Sequence, residues 1–421
     1  MNTTTPKRKL IYSDVLRNRN FALLWTGQSI SLIGDVLYAL AINWYILEQT
    51  GSALQIGGNV IFTVISRVIF SSIAGVVADR WDRRRIMILS DLIRGIILLV
   101  LLLSIIAGIF NIFLIYGATF VLTAVSSFFS PAYQSIIPNL LQKDELVTGR
   151  SFSASSSSLL QAISTAFSGV LIALVGVQAA ILLNSLSFFF SAVMVMFINV
   201  SPSTQQITEV KLTFAAFLQD AISGWLYLRS VPVLISLFVL FTFADFGAAF
   251  TWPVHAVFAE KALRGGSELY GYLSTASLLG GFVGGYFVGR YNNWFNRRPG
   301  QSFALAAFFW GCLSIAFSQS SYIPLALGLR FLIGWSLSMI HVPIAALLDT
   351  TTNDEFRGRV WATIGIGSMV SGAIATFLSG IVADQYSPRV SYLIAGLILV
   401  LASTLSILLK PIRSAQIVKQ E

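Results

Sequence analysis

The sequence predicts an all-α membrane protein in which twelve transmembrane helices form two six-helix halves repeated in the same orientation. Of its 421 residues, 56% are hydrophobic and only 11% are charged. A water-soluble domain usually carries about 25% charged residues, so this chain lacks the charge to cover a water-facing surface. Long apolar runs recur along the chain, and several polar residues recur within them at a nearly constant offset.

Twelve apolar runs are long enough to cross a bilayer, which takes about 20 residues of helix. The first is longer than the core of a signal peptide and no small-residue cleavage site follows it, so we expect an uncleaved span. In chain order, span 1 to span 12 lie at about 21–46, 55–78, 86–108, 111–137, 152–175, 178–199, 232–259, 268–291, 301–318, 321–348, 359–383 and 389–409.

The longest polar break lies between span 6 and span 7, at residues 200–231. Apolar residues from Leu212 to Trp225 recur there at helical spacing, which predicts a short amphipathic helix on the membrane surface. We therefore expect an N-terminal six-helix half at 1–199, a cytoplasmic linker, and a C-terminal six-helix half at 232–421.

The two halves repeat one another. Three pairs of residues share an offset of 210, which indicates that six helices were duplicated in the same orientation, about an axis along the membrane normal. These pairs are Asp35 with Asp245, Gly75 with Gly285, and Arg80 with Arg290.

Basic residues mark the side of the membrane on which each loop lies. Of the 27 Lys and Arg residues, 21 fall in the termini and the loops on the same side, and 3 fall in the opposite loops. The positive-inside rule places the richer side, and with it both termini, in the cytoplasm. The turn at 75–85, GVVADRWDRRR, is too charged to face lipid and lies at that surface. We expect a multi-pass protein of the cell membrane.

Composition excludes several classes of protein. The single cysteine, Cys312, rules out a disulfide framework, and the two histidines, His255 and His341, lie on different spans. No nucleotide-binding loop or metal-ligand cluster is present in the sequence, so we expect neither an enzyme nor a bound cofactor. The net charge of +9 is explained by the loops and does not indicate binding to nucleic acid.

The turn after span 2 carries a resemblance to a known family. Gly75-x-x-x-Asp79-Arg80-x-x-Arg83-Arg84 resembles the loop between helices 2 and 3 of major facilitator superfamily transporters, with Asp82 where the motif usually has a second glycine. With Gly34-Asp35 and Thr50-Gly51-Ser52, the chain is similar to the drug, macrolide and siderophore exporters. The resemblance implies the major facilitator fold and a cytoplasmic gate formed by Gly75, Asp79, Arg80, Arg83, Arg84, Asp91 and Arg94.

In that fold, helices 1, 4, 7 and 10 line a central cavity, and in this chain those four spans carry polar residues at helical spacing. Among these residues we expect the cavity to be lined by Gln28, Ser31, Tyr38, Tyr116, Phe120, Thr123, Ser127 and Trp252.

Charged groups at membrane depth are costly and are therefore candidates for function. Burial disfavours the charged form of a carboxylate and a nearby cation favours it, so Asp35 and Asp245 are predicted to bind the proton that drives transport. The alternative for both is a structural ion pair or a hydrogen bond between helices. Arg330 either pairs with Asp245 or anchors an anionic substrate, and His341 either relays protons or packs. Arg67 is expected to pair with Asp35 or face a wet crevice rather than touch substrate.

These observations favour a secondary transporter that exports amphipathic organic molecules by alternating access, with the proton as coupling ion. The alternatives are export of one specific metabolite such as a siderophore or peptide antibiotic, sugar-like uptake, or a membrane scaffold that transports nothing. The expected partners are a small organic substrate and the lipid bilayer, and we expect a monomer.

Overall fold

The computed structural model describes residues 12–142, 144–199 and 214–413, and within these ranges the chain is helical and has no strand. Short helical segments precede, connect or follow the long helices, at Tyr12–Leu16, Val254–Val257, Phe258–Ala262, Asn292–Arg297 and Lys410–Arg413. The long helices are α1 (Arg19–Thr50), α2 (Ala53–Arg80), α3 (Arg83–Ile106), α4 (Ile112–Leu140), α5 (Leu146–Met196), α6 (Phe214–Ser230), α7 (Pro232–Ala249), α8 (Ser267–Arg290), α9 (Pro299–Gln319), α10 (Ile323–Thr351), α11 (Asp354–Gln385) and α12 (Pro388–Leu408).

The helix α5 contains two predicted spans. At 51 residues it would be about 76 Å long, more than twice the thickness of the hydrocarbon core. Gly176 interrupts it with φ 81° and ψ 169°, a backbone conformation open to glycine and strained for other residues. The break falls between the predicted spans at 152–175 and 178–199, so spans 5 and 6 both lie within α5.

Ten of the described helices are long and apolar enough to cross a membrane. Dividing α5 at Gly176 adds one span, and the 24-residue α8 supplies the last. The helix α8 is less apolar because it is rich in glycine, which allows close packing: a Cβ on Gly280 would lie 1.8 Å from the carbonyl oxygen of Phe331 in α10. The predicted fold class is confirmed, and a twelve-helix count is consistent with the fold.

The linker prediction is only partly within the described residues. The helix α6 covers the second part of the predicted break, whereas residues 200–213 lie outside the described part of the chain. Ile222 and Leu226, on α6, are exposed. The amphipathic linker helix therefore stays a prediction.

The chain folds into two compact units, and their boundaries run through three helices. Among the described residues, unit 1 contains those from Tyr12 to Ala39, Ser66–Ser164, and those from Val177 to 199. Unit 2 contains Leu40–Ile65, Thr165–Gly176 and residues 214–413. The adjoining ends of α1 and α2, and the segment Thr165–Gly176 of α5, thus belong to the same unit as α6–α12.

The N-terminus of α2 lies within unit 2, and a carboxylate from α11 caps it. The backbone N–H of Ala53 donates to Oδ1 of Asp384 at 2.7 Å, and that of Leu54 donates to Oδ2 at 3.2 Å. The Ser52 hydroxyl donates to the same carboxylate. A helix N-terminus carries unsatisfied N–H groups and partial positive charge, so a carboxylate is its natural ligand. We name these residues the Asp384 clamp.

Two further contacts of unit 2 lie near the Asp384 clamp. The Lys261 ammonium donates to the carbonyl oxygen of Gly51 at 2.6 Å, and the rings of Trp44 and Tyr270 stack with centroids 6.4 Å apart. The sequence motif Thr50-Gly51-Ser52 thus forms part of an interhelical contact on the side predicted to be extracellular.

Candidate functional site

Asp35, in unit 1, is an exposed carboxylate on the middle of α1. The Asn184 side-chain amide, in the second half of α5, donates to its Oδ1 at 3.3 Å. Gly34 makes this approach possible, because a Cβ at that position would lie 2.4 Å from Oδ1 of Asn184. The Gly-Asp pair found in the sequence therefore has a packing cause.

A buried ion pair lies close to Asp35. Arg94 and Asp91, one turn apart on α3, bind each other, and both side chains are almost fully buried. The Arg94 guanidinium lies between the rings of Phe129 and Phe188, 4.5 Å and 4.2 Å from their centroids. Arg94 also interacts electrostatically with Asp35. The cluster of Asp35, Asp91 and Arg94 thus holds two acids and one cation, and uptake of one proton makes it neutral.

This pair belongs to the predicted gate. Asp91 and Arg94 were expected to join Asp79 and Arg80 at the cytoplasmic surface; the structure pairs them with each other and near Asp35, and their link to Asp79 stays a prediction because that side chain is not described. Arg67 was expected to pair with Asp35 or to face a wet crevice; among the described residues Asp35 contacts Asn184 and is attracted to Arg94, and no ion pair joins it to Arg67.

Two predicted cavity residues on α1 face the neighbouring helix. The Gln28 amide donates to the Ser191 hydroxyl at 2.9 Å, and the Ser31 hydroxyl donates to the Ser187 carbonyl at 3.3 Å. Ser31 is 3% exposed, so this side of the polar stripe packs α1 against α5. Tyr38 is half-buried on the same helix.

A cleft of about 510 Å³ lies between α2 and α4, within unit 1. Its walls contain two of the predicted cavity residues, Thr123 and Ser127, and also Arg67, halfway along α2. Phe120 lies beside it, packed edge-on against Phe70 with ring centroids 5.9 Å apart. The full lining is Arg67, Ser71, Gly75, Thr123, Ser126, Ser127, Ser130 and Pro131.

The remaining predicted cavity residues lie apart from this lining. Tyr116, on α4, contacts Phe113 edge-on with centroids 6.3 Å apart. Trp252, in unit 2, is 59% exposed just after the end of α7. Neither is placed at a common site by the described contacts.

In unit 2, Asp245 contacts His341 and not Arg330, which was one predicted partner. Its Oδ1 lies 3.7 Å from Nε2 of His341 on α10, an ion pair when the histidine is protonated. The His341 ring also meets Phe241 edge-on, with centroids 5.0 Å apart. Arg330 instead is buried beside Phe317, 5.9 Å from its ring centroid, and interacts electrostatically with Tyr392.

Two arginines in and after the turn that follows α2 hold this turn against α4 and the end of α5. Arg83 donates to the Ser135 carbonyl at 3.1 Å, and Arg84 donates to the carbonyls of Val195, at 3.1 Å, and Met196. Asp82 replaces the second glycine of the motif because it caps α3, accepting from the backbone N–H of Arg85 at 2.9 Å.

Three members of the predicted gate remain without an assigned contact. Arg80 is exposed, Gly75 lines the cleft, and the Asp79 side chain lies outside the described part of the structure. The role of Asp79 in a gate stays a prediction.

Sequence reasoning missed Asn184, although a signal was present. Asn184 is a polar residue within the apolar run of span 6, and a side chain that can donate two hydrogen bonds at membrane depth needs a partner. Here Asp35 is that partner.

Three features together indicate a polytopic membrane transporter. The helices are long enough for twelve spans, the sequence of one half repeats in the other, and charged residues lie within the spans. The chain matches the transmembrane secretion effector family over residues 13–420 and belongs to that family of the major facilitator superfamily. The family and the relatives below are transporters rather than enzymes.

Similar proteins include efflux proteins. Macrolide efflux protein A of Streptococcus pyogenes is 23% identical over 401 residues, covering 93% of this chain and 96% of the relative. The multidrug efflux pump Tap of Mycolicibacterium fortuitum is 23% identical over 410 residues, with coverage of 93% and 95%. The uncharacterized transporter YvqJ of Bacillus subtilis is 21% identical over 394 residues, covering 93% of each chain.

Solved transporter structures share the fold. The nucleoside transporter NupG aligns with a TM-score of 0.72 at 11% identity, covering 93% of this chain and 99% of that one. A bacterial homolog of the human lysosomal transporter Spinster aligns with a TM-score of 0.68 at 12% identity, covering 96% and 98%.

Proposed function

We propose that this chain exports amphipathic organic molecules across the cell membrane by alternating access, driven by proton entry. The observation that carries the proposal is the cluster of Asp35, Asp91 and Arg94. Asp35 is exposed and halfway along a spanning helix, and the buried pair of Asp91 and Arg94 close to it supplies a fixed cation. A carboxylate so placed can gain or lose a proton as its surroundings wet and dry.

The relatives support the direction of transport. Two of them carry names that describe efflux, of macrolides in one case and of several drugs in the other. We extend efflux to this chain as part of the proposal, with Asp245 and His341 as a second titratable pair. The two groups lie 3.7 Å apart, just beyond hydrogen-bond distance, so a small side-chain movement would bring them within reach for proton transfer.

Proteoliposomes with an imposed pH gradient and a labelled macrolide test this function. Asp35→Asn keeps the shape of the side chain and removes its titration. We expect this variant to lose gradient-driven accumulation and to keep binding and downhill exchange. Asp144→Asn, on an exposed loop residue, is the matched control and should transport like the unmodified protein.

The outcomes separate the competing functions. Undiminished accumulation by Asp35→Asn would remove this residue from coupling and leave Asp245 or His341 as the candidate. If the unmodified protein moves neither the macrolide nor any compound of a drug panel, general efflux is wrong and export of one metabolite, or a scaffold role, takes its place. A chain that does not transport but retains protein partners on purification supports the scaffold.

A further inference from the structure

The cleft between α2 and α4 is formed by two facing polar stripes. Arg67, Ser71 and Gly75 are spaced i, i+4, i+8 on α2 and so share one face of that helix. Thr123 and Ser127 lie four apart on α4 and, with three neighbouring residues, form the opposite wall. The two helices touch beside the cleft, where the Ser66 hydroxyl donates to the Phe120 carbonyl at 2.7 Å.

Arg67 gives the cleft a single positive charge. It is exposed and halfway along α2, and among the described side chains no carboxylate lies within ion-pair distance of it. Arg94, by contrast, has Asp91. A charge at membrane depth without a protein partner is a candidate for binding a ligand.

Hydroxyl groups supply the remaining polarity of the cleft. Ser127 already donates to the Thr123 carbonyl at 2.9 Å, but no acceptor among the described residues is assigned to the hydroxyls of Ser71, Ser126 and Ser130. Pro131 has no N–H, which leaves the Ser127 carbonyl without its helical donor. The lining contains no acidic side chain, so the site offers nothing to pair with a cation.

We propose that this cleft binds the anionic group, a carboxylate, sulfonate or phosphate, of an organic molecule that the chain exports. That the bound molecule is exported rests on the function proposed above, whereas the binding of an anionic group in the cleft does not depend on it. Arg67 pairs with the anion, and the serine hydroxyls donate to its oxygens. The volume of about 510 Å³ suits a small organic molecule, since ligand pockets measure about 300–1,000 Å³.

Two probes with one skeleton test the charge preference. Anilinonaphthalene sulfonate is an anion, and N-phenylnaphthylamine is the same ring system without the sulfonate. Binding of each is measured by fluorescence on the purified protein in nanodiscs of zwitterionic lipid, with empty nanodiscs subtracted. We expect Arg67→Gln to weaken binding of the sulfonate about ten- to hundredfold and to leave the neutral probe unchanged. Arg67→Lys should retain part of the affinity.

Arg150→Gln is the matched control, because it removes an exposed arginine of the same unit that lies outside the cleft. Unchanged binding of the sulfonate to Arg67→Gln overturns the proposal. So does an equal loss of both probes in a variant that elutes as a folded monodisperse protein. If Arg67→Gln does not fold, Ser71→Ala and Ser126→Ala are measured instead, and full sulfonate binding by both overturns the proposal.

A lipid headgroup carries the same anionic chemistry and is separated by a second arm. Nanodiscs with an added fraction of phosphatidylglycerol are compared with the zwitterionic ones, and retained lipid is identified by native mass spectrometry. Two results together would assign the cleft to lipid and overturn the proposal. Phosphatidylglycerol would displace the sulfonate, and the protein would retain this lipid only when Arg67 is present. Sulfonate binding that is indifferent to the lipid supports it.

Transport measurements keep this inference distinct from the proposed function. If Arg67-dependent binding of the sulfonate is found but a pH gradient drives no efflux of either probe, the efflux function fails while the anion site stands. If the gradient drives efflux of the neutral probe alone and Arg67→Gln changes nothing, the anion site fails while the efflux function stands.

Discussion

At the scale of single residues, Arg94 is a charge in unit 1 that is held on several sides. Its guanidinium is bound by Asp91 and enclosed by two aromatic rings, and it attracts Asp35. Removing one member of a buried ion pair strands the other charge, whereas removing both costs much less. Arg94 therefore stabilises unit 1 and is also the nearby positive charge that attracts the carboxylate of Asp35.

This arrangement predicts the outcome of a double-mutant cycle. Arg94→Met leaves Asp91 buried without a cation and should cost about 3–5 kcal/mol of unfolding free energy. Asp91→Asn combined with Arg94→Met should recover a large part of that loss. The measurement is the midpoint of unfolding of the purified protein in mixed detergent micelles, with Arg150→Met as control. Additive losses in the double variant would show that the two residues do not act as a pair.

Some of the site could be predicted from the sequence because a charge in an apolar run is conspicuous. Asp35, Asp245 and Arg67 were found in this way, and Thr123 and Ser127 followed from helical spacing. The partners could not be found in the same way. Asn184 lies 149 residues from Asp35, and which faces of two helices meet depends on packing that spacing alone does not specify.

At the scale of helices, the Asp384 clamp joins α11 to the start of α2. Three donors converge on one carboxylate, and two of them are backbone N–H groups that have no partner within their own helix. Asp384 does for α2 what an N-cap residue does for its own helix, but it does so from 331 residues away in the chain.

Loss of this cap should be measurable as stability. Asp384→Ala leaves the first N–H groups of α2 unpaired and should cost about 0.5–2 kcal/mol, the usual range for an N-cap. Asp384→Asn should lose less, because its amide oxygen still accepts. The check is the melting temperature in detergent, with Asp144→Ala as control. Equal melting temperatures for all three proteins would contradict a stabilising role for the clamp.

The helices themselves were predictable to different degrees. The break within α5 falls between the predicted spans at 152–175 and 178–199, and the φ of 81° at Gly176 explains why glycine is found there. The contact of α8 with α10 was not predicted from the sequence. Small residues such as Gly280 and Gly334 allow two helices to pack closely, but they do not indicate which helix is the partner.

At the scale of the whole molecule, the repeat at an offset of 210 residues has diverged in its chemistry. Asp35 and Asp245 occupy matching positions, but Asp35 contacts an amide near a buried ion pair, whereas Asp245 contacts a histidine. A duplicated acid with two different neighbourhoods can respond differently in each half. The proposed coupling therefore gives the larger role to Asp35.

The predicted sidedness concerns the whole chain and can be tested with described residues. Cys312 is exposed and is first replaced by alanine. We expect a cysteine at Tyr322, exposed between α9 and α10, to react with an impermeant maleimide in intact cells. A cysteine at Trp81, exposed between α2 and α3, should react only after permeabilisation. Reaction of the Trp81 cysteine in intact cells would reverse the topology.

The Asp384 clamp also has a consequence for timing. If alternating access separates α11 from the start of α2, that step breaks the hydrogen bonds of Asp384, which together contribute about 0.5–2 kcal/mol as a helix cap. The Asp384 clamp then lengthens the lifetime of the conformation in which the outer face is shut, and so slows release of the substrate. In single-molecule fluorescence recordings, the neutral Asp384→Asn protein should show shorter dwells in the state with its outer face shut.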